Sequence, residues 1–143
     1  EPVVAAAAAL SASGTTVIND AVPDMRTEAL ELTRRYWTRG QLSGADNERI
    51  LWDWDRFQRR ALQAMGSYDA LVMPAAEGPA PPWRESIDTD FVWTLPWSLT
   101  GSPAVVVPVG RDGGLPLAVQ VVARRWDDHI ALAVARLVEQ GMA

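Results

Sequence analysis

Apolar positions along this chain alternate between a helical period and short strand-like runs. Val3, Val4, Ala7, Ala8 and Leu10 sit in an alanine-rich stretch that predicts a helix over residues 3–12. Gly14 stops it. The β-branched run Thr15, Thr16, Val17 and Ile18 then predicts a strand over residues 15–19. Asp24 suits the start of a second helix running to about Thr38, with Ala29, Leu32 and Tyr36 on one face. Gly40 and Gly44 break the pattern. From Asp46 to Met65 the residues Ile50, Trp54, Phe57, Ala61 and Met65 recur at helical spacing. The opposite face carries Arg49, Asp53, Asp55, Arg56, Arg59 and Arg60, expected to be solvated or paired locally.

Beyond Gly66, Ala70-Leu71-Val72-Met73 is a short apolar run of the buried-strand type, stopped by Pro74. Gly78, Pro79, Pro81 and Pro82 make the following stretch a loop. A loop directly after a strand of an α/β sheet is where ligands tend to sit, and a plain surface loop fits the composition equally well. Ala104–Val107 and Leu117–Val122 read as two strands. Asp112-Gly113-Gly114 between them is a strong turn signal, so the pair predicts an antiparallel hairpin. Pro108 lacks an N–H and marks an edge, a bulge or the end of the first strand. Trp126-Asp127-Asp128 opens a last helix with Trp126, Ile130, Val134, Leu137 and Val138 on one face. Helix, glycine and then strand over residues 3–19 suggest an α/β unit.

Composition narrows the chemistry. A net charge of -5 and a pI near 4.8 argue against a partner that tracks nucleic-acid phosphates. No apolar run approaches the roughly 18 residues of a membrane span, and no charged region precedes the Ala5–Ala9 run as in a signal peptide. The absence of cysteine excludes disulfides, thiolate metal sites and a cysteine nucleophile, which fits a cytoplasmic location. All 13 cationic side chains are arginine, so the chain has no lysine, and His129 is its one histidine. A Ser-Lys mechanism cannot be completed here, and a Ser-His-Asp triad has only His129 to use.

Few side-chain groups invite a catalytic reading. Asp127-Asp128-His129 is better explained as the first turn of an amphipathic helix than as a metal site. Asp53 and Asp55 point apart by about 200° on a helix and form no carboxylate pair. Seven tryptophans are many for this length, and Trp54 and Trp126 are expected to serve core or interface packing. Trp93 and Trp97 are different. They are expected in a loop beside Thr94, Ser98 and Thr100, and aromatic walls with a few hydroxyls suit a pocket for a mostly apolar ligand. Core packing of that loop accounts for them equally well.

The ordered set Tyr68-Asp69-Ala70-Leu71-Val72-Met73-Pro74, Ser98-Leu99-Thr100-Gly101-Ser102-Pro103-Ala104, Val107-Pro108 and Gly114-Leu115-Pro116-Leu117-Ala118-Val119-Gln120 resembles the C-terminal part of the amidase signature family. Asp128–Glu139 fits its closing helix. Two departures are visible. Ser98 stands where the family usually has asparagine. Phe91 stands, beside Asp90, where glutamine-dependent relatives have an aspartate that holds the glutamine amino group.

This resemblance implies an α/β/α sandwich with a mixed central sheet, of which residues 1–143 are the C-terminal portion of a single amidase domain rather than an independent one. It implies amide hydrolysis by a serine activated through a cis-serine and a lysine, without cofactor or metal. None of those residues can be placed in this chain. The catalytic set is expected in an N-terminal portion that would be this chain's partner, together with a small-molecule amide substrate. No nucleic acid or membrane is expected, and pairing into a homodimer stays open. The candidates for the substrate-pocket wall are Trp93, Thr94, Leu95 and Trp97. A degenerate, non-catalytic amidase module serving as a scaffold is the alternative.

Overall fold

The computed structural model describes residues 1–19, 22–83 and 87–142. Five helices, α1 (Pro2–Ala12), α2 (Arg26–Trp37), α3 (Gly44–Met65), α4 (Leu95–Thr100) and α5 (Asp128–Met142), accompany three strands, β1 (Ala70–Pro74), β2 (Ala104–Asp112) and β3 (Leu115–Ala123). Single 3-10 turns lie at Arg39–Gln41 and Asp88–Phe91.

The strands form one sheet in the order β1-β3-β2, antiparallel throughout. Alternation divides each strand between two layers. Val72 of β1, Val105 and Val107 of β2 and Val119 and Val121 of β3 face Ala6 and Leu10 of α1 and Ala135 and Val138 of α5. Leu71 and Met73 of β1 and Val122 of β3 face Met65 of α3 and Trp97 of α4. A third cluster, Ala29, Leu32, Phe57, Ala61 and Leu99, binds α2, α3 and α4 to one another. The result is helices on both faces of a sheet, the α/β/α layering that the resemblance implies.

Local chemistry explains the boundaries. Ser43 caps α3 by accepting from the Asp46 N–H at 3.2 Å. The β2–β3 turn holds Gly113 and Gly114 at φ 55° and 84°, the two positive values that a tight hairpin of this hand requires. β2 runs past Pro108 to Asp112, with a register shift between Pro108 and Gly110. Pro108 is therefore at an edge and a bulge rather than at the strand's end, and there its missing N–H costs little. The alanines of α1 allow close helix packing: Gly141 of α5 lies so near Ala9 that an added Cβ would sit 2.4 Å from the Ala9 Cβ.

Three expectations change. Residues 15–19 carry no strand, since no strand of the described chain lies beside them to pair with. The stretch around Trp93 and Trp97 is a loop only in part: Trp93 and Thr94 lie in a turn, and the chain is helical from Leu95 to Thr100. A 3-10 turn leads into α4, which has Thr94 at its N-cap, Pro96 in its first turn and Gly101 left-handed after its end. Proline near the start and glycine just past the end suit a short helix. Trp126 joins no apolar helix face: it precedes α5 at φ 72° and is 89% exposed.

Candidate functional site

The candidate wall is built on α4, a helix too short to hold itself. Its final carbonyls are satisfied from other elements. Trp54 Nε1 and Gln58 Nε2 of α3 donate to the Leu99 carbonyl at 2.8 and 2.6 Å, and Arg125 Nε donates to the Thr100 carbonyl. Thr100, fully buried, donates its hydroxyl to the Trp97 carbonyl and shares a hydrogen bond with Ser102.

A second tie fixes the start of α4 against the sheet. Gln120 of β3 is buried to 1% exposure, and its Nε2 donates to the Pro74 carbonyl at 3.0 Å and the Trp93 carbonyl at 2.7 Å. One amide thus joins the carboxyl end of β1 to Trp93. The Trp93 ring is fixed as well. Its Nε1 donates to Glu77 Oε1 at 2.9 Å, and the Arg26 guanidinium lies 4.0 Å from its centroid. Arg26 is itself held by Asp24 at 2.8 Å and Glu77 at 3.3 Å. The hydrogen bonds from the Arg26 side chain, and then from its backbone N–H, hold the Asp24 carboxyl down to about 2. The same partnership raises the Arg26 pKa.

A groove of about 600 Å³ begins at this cluster and follows the edge of β1 that has no partner strand among the described residues. Of the four candidate residues, Trp93 and Trp97 line it. Trp97 is also core: it is buried, with Nε1 2.9 Å from Met73 Sδ. Leu95 packs on the cluster of Ala29, Leu32 and Phe57, and the Thr94 hydroxyl turns back to the Phe91 carbonyl at 3.0 Å. The sequence does not single out Gln120, Glu77 and Arg26 for the site. Only the glutamine carries a signal, as the last residue of the Gly114–Gln120 motif, and its reach to Trp93 spans 27 residues.

The groups that invite catalytic readings lie elsewhere. His129 is exposed in the first turn of α5. Asp53 bonds Arg35 and Arg56, while Asp55 pairs with Arg59. Among the described residues no group of acidic, histidine or cysteine side chains could hold a metal ion.

The arrangement is a three-layer α/β/α fold with the Trp93 side chain clasped at the carboxyl end of β1. The family model described as Amidase matches residues 3–132, and the chain belongs to the amidase family. Among curated relatives, a glutamyl-tRNA(Gln) amidotransferase subunit of Granulibacter bethesdensis is 36% identical over 88 residues, 57% of this chain and 18% of that protein. The corresponding protein of Lysinibacillus sphaericus is 32% identical over 79 residues, 51% of this chain and 16% of that protein. The chain thus spans less than a fifth of the length of these relatives. Two solved structures share the fold over 99% of this chain and 40% of their own. One is a glutamyl-tRNA(Gln) amidotransferase subunit of Thermotoga maritima (TM-score 0.78, 22% identity). The other is a 6-aminohexanoate cyclic dimer hydrolase (TM-score 0.75, 19% identity).

Proposed function

We propose that these residues are the C-terminal portion of an amide hydrolase, supplying sheet strands and one wall of the substrate pocket. The observation that carries the reading is a match to the amidase family over residues 3–132 in a chain without a single lysine. The resemblance calls for a serine, a cis-serine and a lysine, so the chemistry belongs to polypeptide outside these residues. There a neutral lysine would take the serine proton through the bridging hydroxyl, and backbone N–H groups would stabilise the tetrahedral oxyanion.

Trp93 supplies the wall, held at the carboxyl end of β1 by Gln120 and Glu77. The substrate we assign is a non-peptide carboxylic amide with an aryl, alkyl or otherwise apolar substituent. Two features support this. Arg26, the cation stacked on Trp93, is already engaged by Asp24 and Glu77 and so is poorly available to a substrate carboxylate. Phe91 replaces the aspartate of glutamine-dependent relatives and is half exposed near the start of α4.

The test compares residues 1–143 alone with the complete polypeptide on a panel of aryl and alkyl amides. Turnover is expected only from the complete polypeptide. Turnover by the pure 143-residue chain would overturn the assignment. A complete polypeptide lacking the lysine or the nucleophilic serine would leave the chain as a scaffold module.

A further inference from the structure

We propose that Glu77 sets the charge selectivity of the Trp93 pocket, shutting out amides that carry a carboxylate beside the aromatic wall and admitting neutral or cationic ones. The proposal rests on the reading of that wall as part of the substrate site and narrows the substrate class. Arg26 is the one cation among the described residues that line the groove, and Asp24 and Asp69 are the acids. An arginine stacked on an aromatic ring is by itself a carboxylate-binding group. The neighbours of Arg26 decide otherwise.

Asp24 closes one edge of the guanidinium. Arg26 Nε donates to Asp24 Oδ1 at 2.9 Å and Nη2 donates to Asp24 Oδ2 at 2.8 Å, a bidentate fork. The fork steadies the guanidinium over the Trp93 ring, 4.0 Å from its centroid. Nη1 is the end left over, and Glu77 takes it. Glu77 Oε1 accepts from Arg26 Nη1 at 3.3 Å and from Trp93 Nε1 at 2.9 Å. One carboxylate oxygen thus ties the cation to the wall. Glu77 stands in the glycine- and proline-rich loop after β1, so that loop takes part in the site through this side chain.

The consequence is electrostatic rather than structural. Side-chain exposures of 33% for Arg26 and 69% for Glu77 make the pair a minor contributor to stability. Two carboxylates against one guanidinium nevertheless leave the cluster with a net negative charge. At the other end of β1, Asp69 has Arg124 at 3.9 Å, so the excess sits at the Trp93 end. A substrate carboxylate that reaches Arg26 must displace Glu77 from Nη1 and lie against Asp24. A neutral amide needs neither, and a cationic one is attracted.

Binding of benzoate, benzyl alcohol and benzylamine to the complete polypeptide, measured by calorimetry at low ionic strength, tests this. The three share one ring and differ in charge. Benzoate is expected to bind most weakly. Glu77→Gln keeps an oxygen for Trp93 Nε1 and removes the charge, and it is expected to improve benzoate binding relative to benzyl alcohol by about tenfold. Arg26→Leu added to Glu77→Gln should cancel that gain. Raised salt should narrow the discrimination of the native protein, as it must for exposed charges. Benzoate bound as tightly as the alcohol by the native protein overturns the proposal, and so does an unchanged ratio in Glu77→Gln. Gln120→Leu frees the Trp93 backbone without altering charge; an equal shift of the ratio there overturns the proposal in favour of wall position. Failure of all three probes to bind overturns it together with the pocket wall. Amide hydrolysis by the same sample is read separately. A shifted ratio without hydrolysis sinks only the assigned activity, and hydrolysis with an unshifted ratio sinks only the charge selection.

Discussion

Gln120, buried to 1% exposure, bridges two backbone carbonyls that belong to half-buried residues. Gln120→Leu leaves the Pro74 and Trp93 carbonyls without that donor, and it is expected to destabilise the complete polypeptide by about 1–3 kcal/mol in urea unfolding. Trp93→Ala removes the aromatic wall but no core contact of the kind Trp97 makes. It is expected to raise KM for aryl amides by roughly tenfold with kcat little changed, the signature of lost uniform binding. Asp24 answers to pH. Its carboxyl is held near 2 against an ordinary 3.8, so the Asp24–Arg26 contact contributes fully above pH 3.8 and loses its contribution as pH falls toward 2. The stability difference between the native protein and Asp24→Asn is expected to shrink across that window when unfolding is followed from pH 5 downward. A difference that stays constant would mean that the contact is not coupled to folding.

At the scale of elements, two devices let unpromising segments become helices. α4 has six residues, yet Trp54, Gln58 and Arg125 supply the donors its last carbonyls need. α1 is rich in alanine, without an amphipathic stripe, and gains its place by letting α5 approach at Gly141. Gly141→Ala would set two methyl groups 2.4 Å apart, and the Ala9 backbone stands directly behind. A loss of about 1–3 kcal/mol is expected from thermal or urea unfolding, the usual range for overpacking. Adding Ala9→Gly should return part of that loss. Non-additivity in this double mutant is the measurement that ties the effect to the contact.

Across the whole molecule, β3 carries the fold. Val119, Val121 and Val122 are fully buried between two helical layers, with a strand on either side. Val121→Asp places an unpaired carboxylate against α1 and α5, and it is expected to abolish cooperative unfolding or to cost more than about 4 kcal/mol. The surface contrasts with this core. Trp37, Trp52, Trp83 and Trp126 are exposed, and only Trp97 of the seven tryptophans is buried. Composition alone suggests core or interface packing for most of them. Large aromatics do not declare which way they face unless a period places them.

The elements themselves were legible from the chain. Alanine propensity located α1 and helical periods located α2, α3 and α5, glycines and prolines marked their limits, and the Asp112-Gly113-Gly114 turn announced the β2–β3 hairpin. The missing lysine, a matter of counting, placed the expected chemistry elsewhere. These signals are local, carried by residues within a few positions of one another. The tertiary structure alone decided the rest. It made a helix of Leu95–Thr100, the second part of a stretch whose hydroxyls and tryptophans suggested a loop, because the donors that complete α4 come from α3 and Arg125, distant in the chain. It left residues 15–19 unpaired, because a strand needs a neighbour and no periodicity can supply one. And it joined Trp93 to β1 through Gln120, a contact across 27 residues that only folding brings together.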